Sequence, residues 1–137
     1  MATYMAPLLL PPSPNDVLVP VPLHRRRLWA RGFNQAVVVM RALSHKTGIA
    51  TDARLLERVK PTPPLKGMSP QQRRRTVAGA FQVRDGADLR GRTVVLVDDV
   101  LTTGATANAC ARALKRAGAE RVELVSWARV IRPSQLV

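Results

Sequence analysis

Residues 93–106 read Thr93-Val94-Val95-Leu96-Val97-Asp98-Asp99-Val100-Leu101-Thr102-Thr103-Gly104-Ala105-Thr106. The run Thr93–Val97 is β-branched and almost continuously apolar, the pattern of a strand buried on both faces of a parallel sheet. Two adjacent carboxylates stand at its carboxyl end, the edge where open α/β sheets bind ligands. Like charges placed there are costly unless donors or a cation meet them. A ribose diol is one such partner; Mg²⁺, which favours oxygen ligands and substrate phosphates, is another. A Thr/Gly turn follows and opens a helix predicted to run to about Ala117, closed by Gly118. Small residues let backbone N–H groups approach a ligand, and a helix N-terminus carries positive partial charge. Thr102, Thr103, Gly104, Ala105 and Thr106 therefore read as a cradle for one phosphate. Carboxylates followed closely by such a cradle suit a ribose 5-phosphate. A strand that simply ends in Asp-Asp before an ordinary capped turn accounts for the same residues, and physics alone leaves both readings open.

Working outward, Asp16–Pro22 is a second apolar run whose two prolines belong at its end, where they remove no ladder donors. A basic loop, His24-Arg25-Arg26-Arg27, continues to Arg31-Gly32. A helix is predicted over about Asn34–Thr47, with Asn34 as N-cap, Gly48 just past its end, and Ala36, Met40, Leu43 and Thr47 on one stripe. Residues 53–59 are a further candidate strand. Pro61, Pro63, Pro64 and Gly67 make 60–68 a loop, with Lys60 and Lys66 at its sides. Ser69-Pro70-Gln71-Gln72 has a capping-box signature with Pro at the first helical position; that helix carries Arg73, Arg74 and Arg75 and is predicted to end at Gly79. Ala80–Val83 is a short strand, 84–92 a turn, and Val122–Val125 a last strand that extends toward Val130. Strands alternating with helices predict an α/β fold with a mostly parallel sheet. Residues 1–15, Pro-rich and without Lys, Arg or Glu, read as an irregular arm, and 16–137 as the domain.

The chain has 137 residues, 22 Lys+Arg against 9 Asp+Glu, and a net charge of +13. The length suits one domain, and 46% hydrophobic residues argue against wholesale disorder. The single cysteine, Cys110, excludes an internal disulfide and a Cys-rich zinc site within these residues. It also fits a reducing compartment. No apolar stretch is long enough for a membrane helix, and Met1–Pro14 lacks the basic start of a signal peptide, so a cytoplasmic protein is expected. The charge points to anionic partners: nucleic acid, a phosphorylated small molecule or an acidic protein. A merely solubilising surface is the plainer account. His24 and His45 lack metal-ligand spacing, and Cys110 reads as a small core residue. Trp29 and Phe33, set among Arg25–Arg27 and Arg31, read equally as base-stacking aromatics and as packing residues.

Residues 94–106 resemble the phosphoribosyl pyrophosphate (PRPP) signature of type I phosphoribosyltransferases. The wider chain, about 16–131, resembles one branch, the ComF family (ComFC and GntX-like proteins), linked to DNA uptake in bacterial competence. The residues that carry this are Val19-Pro20-Val21-Pro22-Leu23-His24, Arg31-Gly32-Phe33-Asn34-Gln35, Thr62-Pro63-Pro64, and Arg73-Arg74-Arg75 with Gly79-Ala80-Phe81. The resemblance implies a mostly parallel, doubly wound sheet with flanking helices. It implies that Asp98 and Asp99, the catalytic pair, hold the ribose 2′- and 3′-hydroxyls, with Mg²⁺ carried in by PRPP nearby. Thr102 to Thr106 would bind the 5-phosphate, and Leu23, His24, Arg25, Arg26 and Arg27 would form the pyrophosphate loop. Residues 60–72 take the place of a flexible loop that covers the site. The implied reaction displaces pyrophosphate from ribose C1 with a nitrogen nucleophile.

The chain also departs from the family. Members usually carry an N-terminal zinc ribbon with four cysteines, absent from these residues. Leu65 stands where Gln is common and Thr76 where Asn is common, which bears on turnover more than on binding. Thr102 replaces the Asp that purine-salvage enzymes use as a base, which argues against purine salvage. Two other functions remain in view: a single-stranded nucleic-acid-binding accessory using Arg73, Arg74 and Arg75, or a PRPP-sensing regulator without turnover. No distinct base-binding hood is legible, and the oligomeric state is open, a dimer included.

Overall fold

The structure is a computed structural model that describes residues 13–22, 34–63, 65–101 and 104–129, with the side chains of 99–101 and 127–129 outside the description. The elements run β1 (Asp16–Pro20), α1 (Gln35–Thr47), β2 (Ala50–Thr51), β3 (Leu56–Arg58), α2 (Pro70–Val77), β4 (Phe81–Val83), β5 (Thr93–Leu101), α3 (Ala105–Arg116) and β6 (Arg121–Arg129).

Apolar runs β1 and β5 pair in parallel at the centre of a four-stranded sheet of order β2-β1-β5-β6, in which every pairing is parallel. Alternation along each strand sends its side chains to two separate cores. Val17, Val19, Val94 and Leu96 pack on one face with Ala109, Cys110, Ala113 and Leu114 of α3. Leu18, Val95 and Val97 pack on the other with Val39, Met40 and Leu43 of α1 and with Val125 of β6. Both faces are therefore covered by helices, the doubly wound arrangement expected.

The helix ends follow the sequence signals. Asn34 Oδ1 accepts from the Ala36 amide at 3.0 Å, and Gly48 takes a left-handed φ of 77° to close α1. At α2 the Ser69 hydroxyl accepts from the Gln72 amide at 3.2 Å while Gln72 Oε1 accepts from the Ser69 amide at 2.8 Å, so the capping box forms as predicted. The helix stops at Val77, two residues before the expected Gly79.

Two features depart from expectation. The strand expected to end at Val97 runs on to Leu101, because β6 lies alongside and pairs Val100 with Ala128 and Leu101 with Arg129. A second, antiparallel sheet of β3 and β4 stands apart from the main one, with the 60–68 loop and α2 between its strands. This ribbon is anchored at its base: the Asp52 amide donates to the Leu18 carbonyl at 3.0 Å, and Arg84 grips the Asp52 carboxylate with two bonds of 3.2 and 3.0 Å. Among the described residues no helix is long and apolar enough to cross a membrane.

Candidate functional site

Asp98 follows Val94 and Leu96 in alternation, so it lies on the α3 face of β5, half-buried, with Ser126 opposite it on β6. Its charge is felt in the core below: burial first, and then the field of Asp98, push the Cys110 thiol far above its ordinary value, while the Arg58 guanidinium pulls the other way. Val94 and Leu96 of that face share one core with Cys110 and with Phe81 of β4. Asp99 belongs to β5, but its side chain lies outside the description.

Beyond the strand, Gly104 is the N-cap of α3 with a φ of 79°, a left-handed conformation that costs an L side chain strain and glycine none. Its carbonyl accepts from the Asn108 amide at 2.8 Å. Ala105 is buried and Thr106 half-buried, so the first turn of α3 is rooted in the core. Thr102 and Thr103 lie outside the described residues. The structure therefore places an acidic strand end a few residues before a helix N-terminus that carries no side-chain cap bond and no acidic residue in its first turn.

The proposed pyrophosphate loop, Leu23 to Arg27, also lies outside the described residues, but both flanks of segment 23–33 are visible. The Val21 amide donates to the Val97 carbonyl at 2.9 Å, one residue before Asp98. Asn34 Nδ2 donates to the Val21 carbonyl at 3.2 Å while the same side chain caps α1. The segment therefore leaves and returns at the carboxyl edge of β1, beside the acidic end of β5.

The third segment of the expected site is the loop between β3 and α2. Arg58 lies with its guanidinium over the Phe81 ring, 5.4 Å from the centroid, and Nη2 donates to the Thr62 hydroxyl. Leu65 packs against the α3-side core, and Arg73 Nε donates to the Met68 carbonyl at 3.2 Å. Thr76, where the family commonly has Asn, donates its hydroxyl to the Gln72 carbonyl at 2.7 Å.

The three arginines of α2 are not equivalent, which corrects the sequence reading of them as one basic cluster. Arg73 is 7% exposed and Arg74 and Arg75 are exposed. Helical spacing puts Arg73 and Val77 on the same buried side, four residues apart, leaving only its two neighbours toward solvent. Sequence reasoning also missed Arg58 as a site-side residue. Nothing in a single sequence announces it, since it sits in a weak three-residue strand whose pairing with β4 is non-local.

A family profile described as "Phosphoribosyl transferase domain" matches residues 31–134. Competence protein F of Haemophilus influenzae is 36% identical over 115 residues, covering 83% of this chain and 50% of that protein. DNA utilization protein YhgH of Escherichia coli is 37% identical over 109 residues, covering 80% and 47%. The chain thus spans about half the length of these curated relatives. Among solved structures, a hypoxanthine phosphoribosyltransferase of Staphylococcus aureus superposes with a TM-score of 0.58 at 14% identity, covering 98% of this chain and 60% of that one. A purine phosphoribosyltransferase of Pyrococcus horikoshii gives 0.56 at 19%, covering 96% and 75%. At such identities these two speak to the fold alone, which is that of the type I phosphoribosyltransferases. The profile over residues 31–134 and the identity to these curated relatives place the chain in the phosphoribosyl transferase domain family, as a relative of the ComF-type proteins.

Proposed function

We propose that the chain binds PRPP with Mg²⁺ at the carboxyl edge of β5 and acts in the cytoplasm as a phosphoribosyltransferase-like protein of ComF type. The observation that carries this is the order of parts along one edge: Asp98 at the strand end, Gly104 at the helix start, and both flanks of segment 23–33 beside them. Asp98 and Asp99 accept from the ribose hydroxyls, and their oxygens suit Mg²⁺, which commonly uses one or two carboxylates plus substrate phosphates. Amides at the start of α3, with Thr102 to Thr106, take the 5-phosphate. Arg25, Arg26 and Arg27 offer charge-assisted bonds to the pyrophosphate. In the reaction this supports, the lone pair of a nitrogen acceptor forms the bond to ribose C1. The C1–oxygen bond breaks, pyrophosphate leaves with the electron pair, and the acceptor nitrogen gives up its proton. Closure of the 60–72 loop would exclude water from the oxocarbenium-like state.

Isothermal calorimetry with PRPP and Mg²⁺ tests the binding. Wild type should release heat, and Asp98→Asn with Asp99→Asn should abolish it; a silent wild type, or a variant that binds unchanged, sinks the reading.

A second reading, an accessory that binds single-stranded nucleic acid, is favoured by the charge distribution. From Arg58 to Arg84 every charged residue is a cation, and Lys60, Lys66, Arg74 and Arg75 are exposed. The names of the two curated relatives fit it. Each phosphate contact should add about 0.7 to the slope of log affinity against log salt. Salt-independent binding speaks against it. If PRPP also alters nucleic-acid affinity, the chain is a PRPP-responsive regulator, since such coupling must be reciprocal.

A further inference from the structure

The loop between β3 and α2 is held at both of its roots by arginines. Arg73, buried on α2, bonds the Met68 carbonyl at the far root. Arg58, at the end of β3, bonds the Thr62 hydroxyl at the near root while its guanidinium rests on the Phe81 ring of the paired strand. The two bonds differ in kind. Met68 offers a backbone carbonyl, which any residue there would supply, whereas the near root depends on a side-chain hydroxyl that a single substitution removes. They also differ in place. Phe81, the register partner of Arg58, packs in the same core as Val94 and Leu96, the face of β5 on which alternation puts Asp98, so the near root lies on that face. The tip between the roots carries the exposed Lys66 and a left-handed Gly67 with φ of 83°, and Leu65 packs against the core.

We infer that Arg58 is a positioning residue: lying over Phe81, it latches the loop through Thr62 and holds the loop's near root on the face of the sheet that carries Asp98 of the phosphoribosyl site. The stack fixes the guanidinium plane, and an arginine fork holds two or more partners at defined angles, which a lysine does not. Thr62 is thereby kept from swinging away with the tip. Any ligand that settles at Asp98 then meets a loop whose root is already placed, and only the tip has to move. This rests on the PRPP reading for what the latch serves, but not for whether the latch exists.

The test is limited digestion of the ligand-free protein with a lysine-specific protease, following the cut after Lys66 by mass. When opening is fast relative to cleavage, the rate tracks the open population, and losing a hydrogen bond to a charged group raises that population roughly tenfold or more. Arg58→Gln and Thr62→Val should each speed the cut by about that factor, and the double variant should be no faster than either. Thr62→Ser, which restores the hydroxyl, should return the rate toward wild type, a rescue that general loosening of the fold would not give. Wild-type rates in Thr62→Val, or equal acceleration in Thr62→Ser and Thr62→Val, overturn the latch even if Arg58→Gln fails to fold. Calorimetry with PRPP and Mg²⁺ on wild type and Thr62→Val separates this from the site itself. A wild type that gives no heat, with faster cutting in Thr62→Val, refutes the site and keeps the latch. PRPP binding with no change in cutting does the reverse.

Discussion

Cys110 is buried in the core that packs on the Asp98 face of β5, and its thiol is pushed up. Burial is the larger cause and Asp98 the second, and together they overcome the opposing pull of Arg58, so the thiol stays protonated well above its ordinary value of 9.0. A group whose folded value is raised adds stability below its unfolded value and loses it as pH rises through and beyond that point. Wild type should therefore lose stability from about pH 9 upward relative to Cys110→Ala, measured by urea melts of both at pH 7 and pH 10. The same burial predicts no reaction of folded protein with a thiol reagent at pH 8; rapid labelling without unfolding would contradict it. At Gly104 the constraint is backbone. Gly104→Ala forces a side chain into the left-handed region and should cost about 1–2 kcal/mol in urea unfolding, with weaker PRPP binding because the first turn of α3 shifts. The acidic pair and the glycine were legible in the sequence because strand pattern, charge and turn chemistry all point to one edge. Arg73 was not, since a run of three arginines looks uniform until the helix is docked and one of them turns inward.

At the scale of elements, ends were more legible than partners. α2 shows this: its start is written in Ser69, Pro70 and Gln72 and forms as read. Ser69→Ala removes one half of the reciprocal cap and should cost about 1 kcal/mol, within the usual span for such caps. Gln72→Ala in the same background should add less than it does alone, because the two bonds complete one box. Chemical denaturation of the four proteins reads both effects. β5 was legible in position but not in length. The carboxylates read as its carboxyl end, but the strand runs on to Leu101, where sequence patterning places the Thr/Gly turn, and the nine-residue β6 alongside supplies partners there. The β3–β4 ribbon was not legible as a separate sheet. Its strands are three residues each and meet across the 60–68 loop and α2, so their pairing is a non-local fact that local propensity does not encode.

Across the whole molecule the charge of +13 is unevenly spread, and the spread sets the energetics. The seven cations Arg58, Lys60, Lys66, Arg73, Arg74, Arg75 and Arg84 lie in one acid-free stretch spanning the ribbon and α2. Of these, Arg84 is paired with Asp52 of the base, where burial opposes ionisation but the Arg84 and backbone bonds win and hold the carboxyl below its ordinary value. That pair ties the ribbon to the chain before β3, and both partners are partly exposed, so solvent screens it and it is a weak tether. Self-repulsion within the ribbon should then be relieved by screening. The melting temperature should rise as salt goes from about 20 to 300 mM, over which the Debye length falls to below 10 Å. The gain should shrink in Arg74→Gln with Arg75→Gln, which removes two exposed like charges without touching the core. Asp52→Asn tests the tether from the other side. Its depressed carboxyl contributes stability above the unfolded value near 4 and loses it as pH falls through the folded value, so wild type should converge on Asp52→Asn below about pH 4. If the variant instead keeps its deficit at pH 3, the destabilisation comes from lost packing at the ribbon's base rather than from charge.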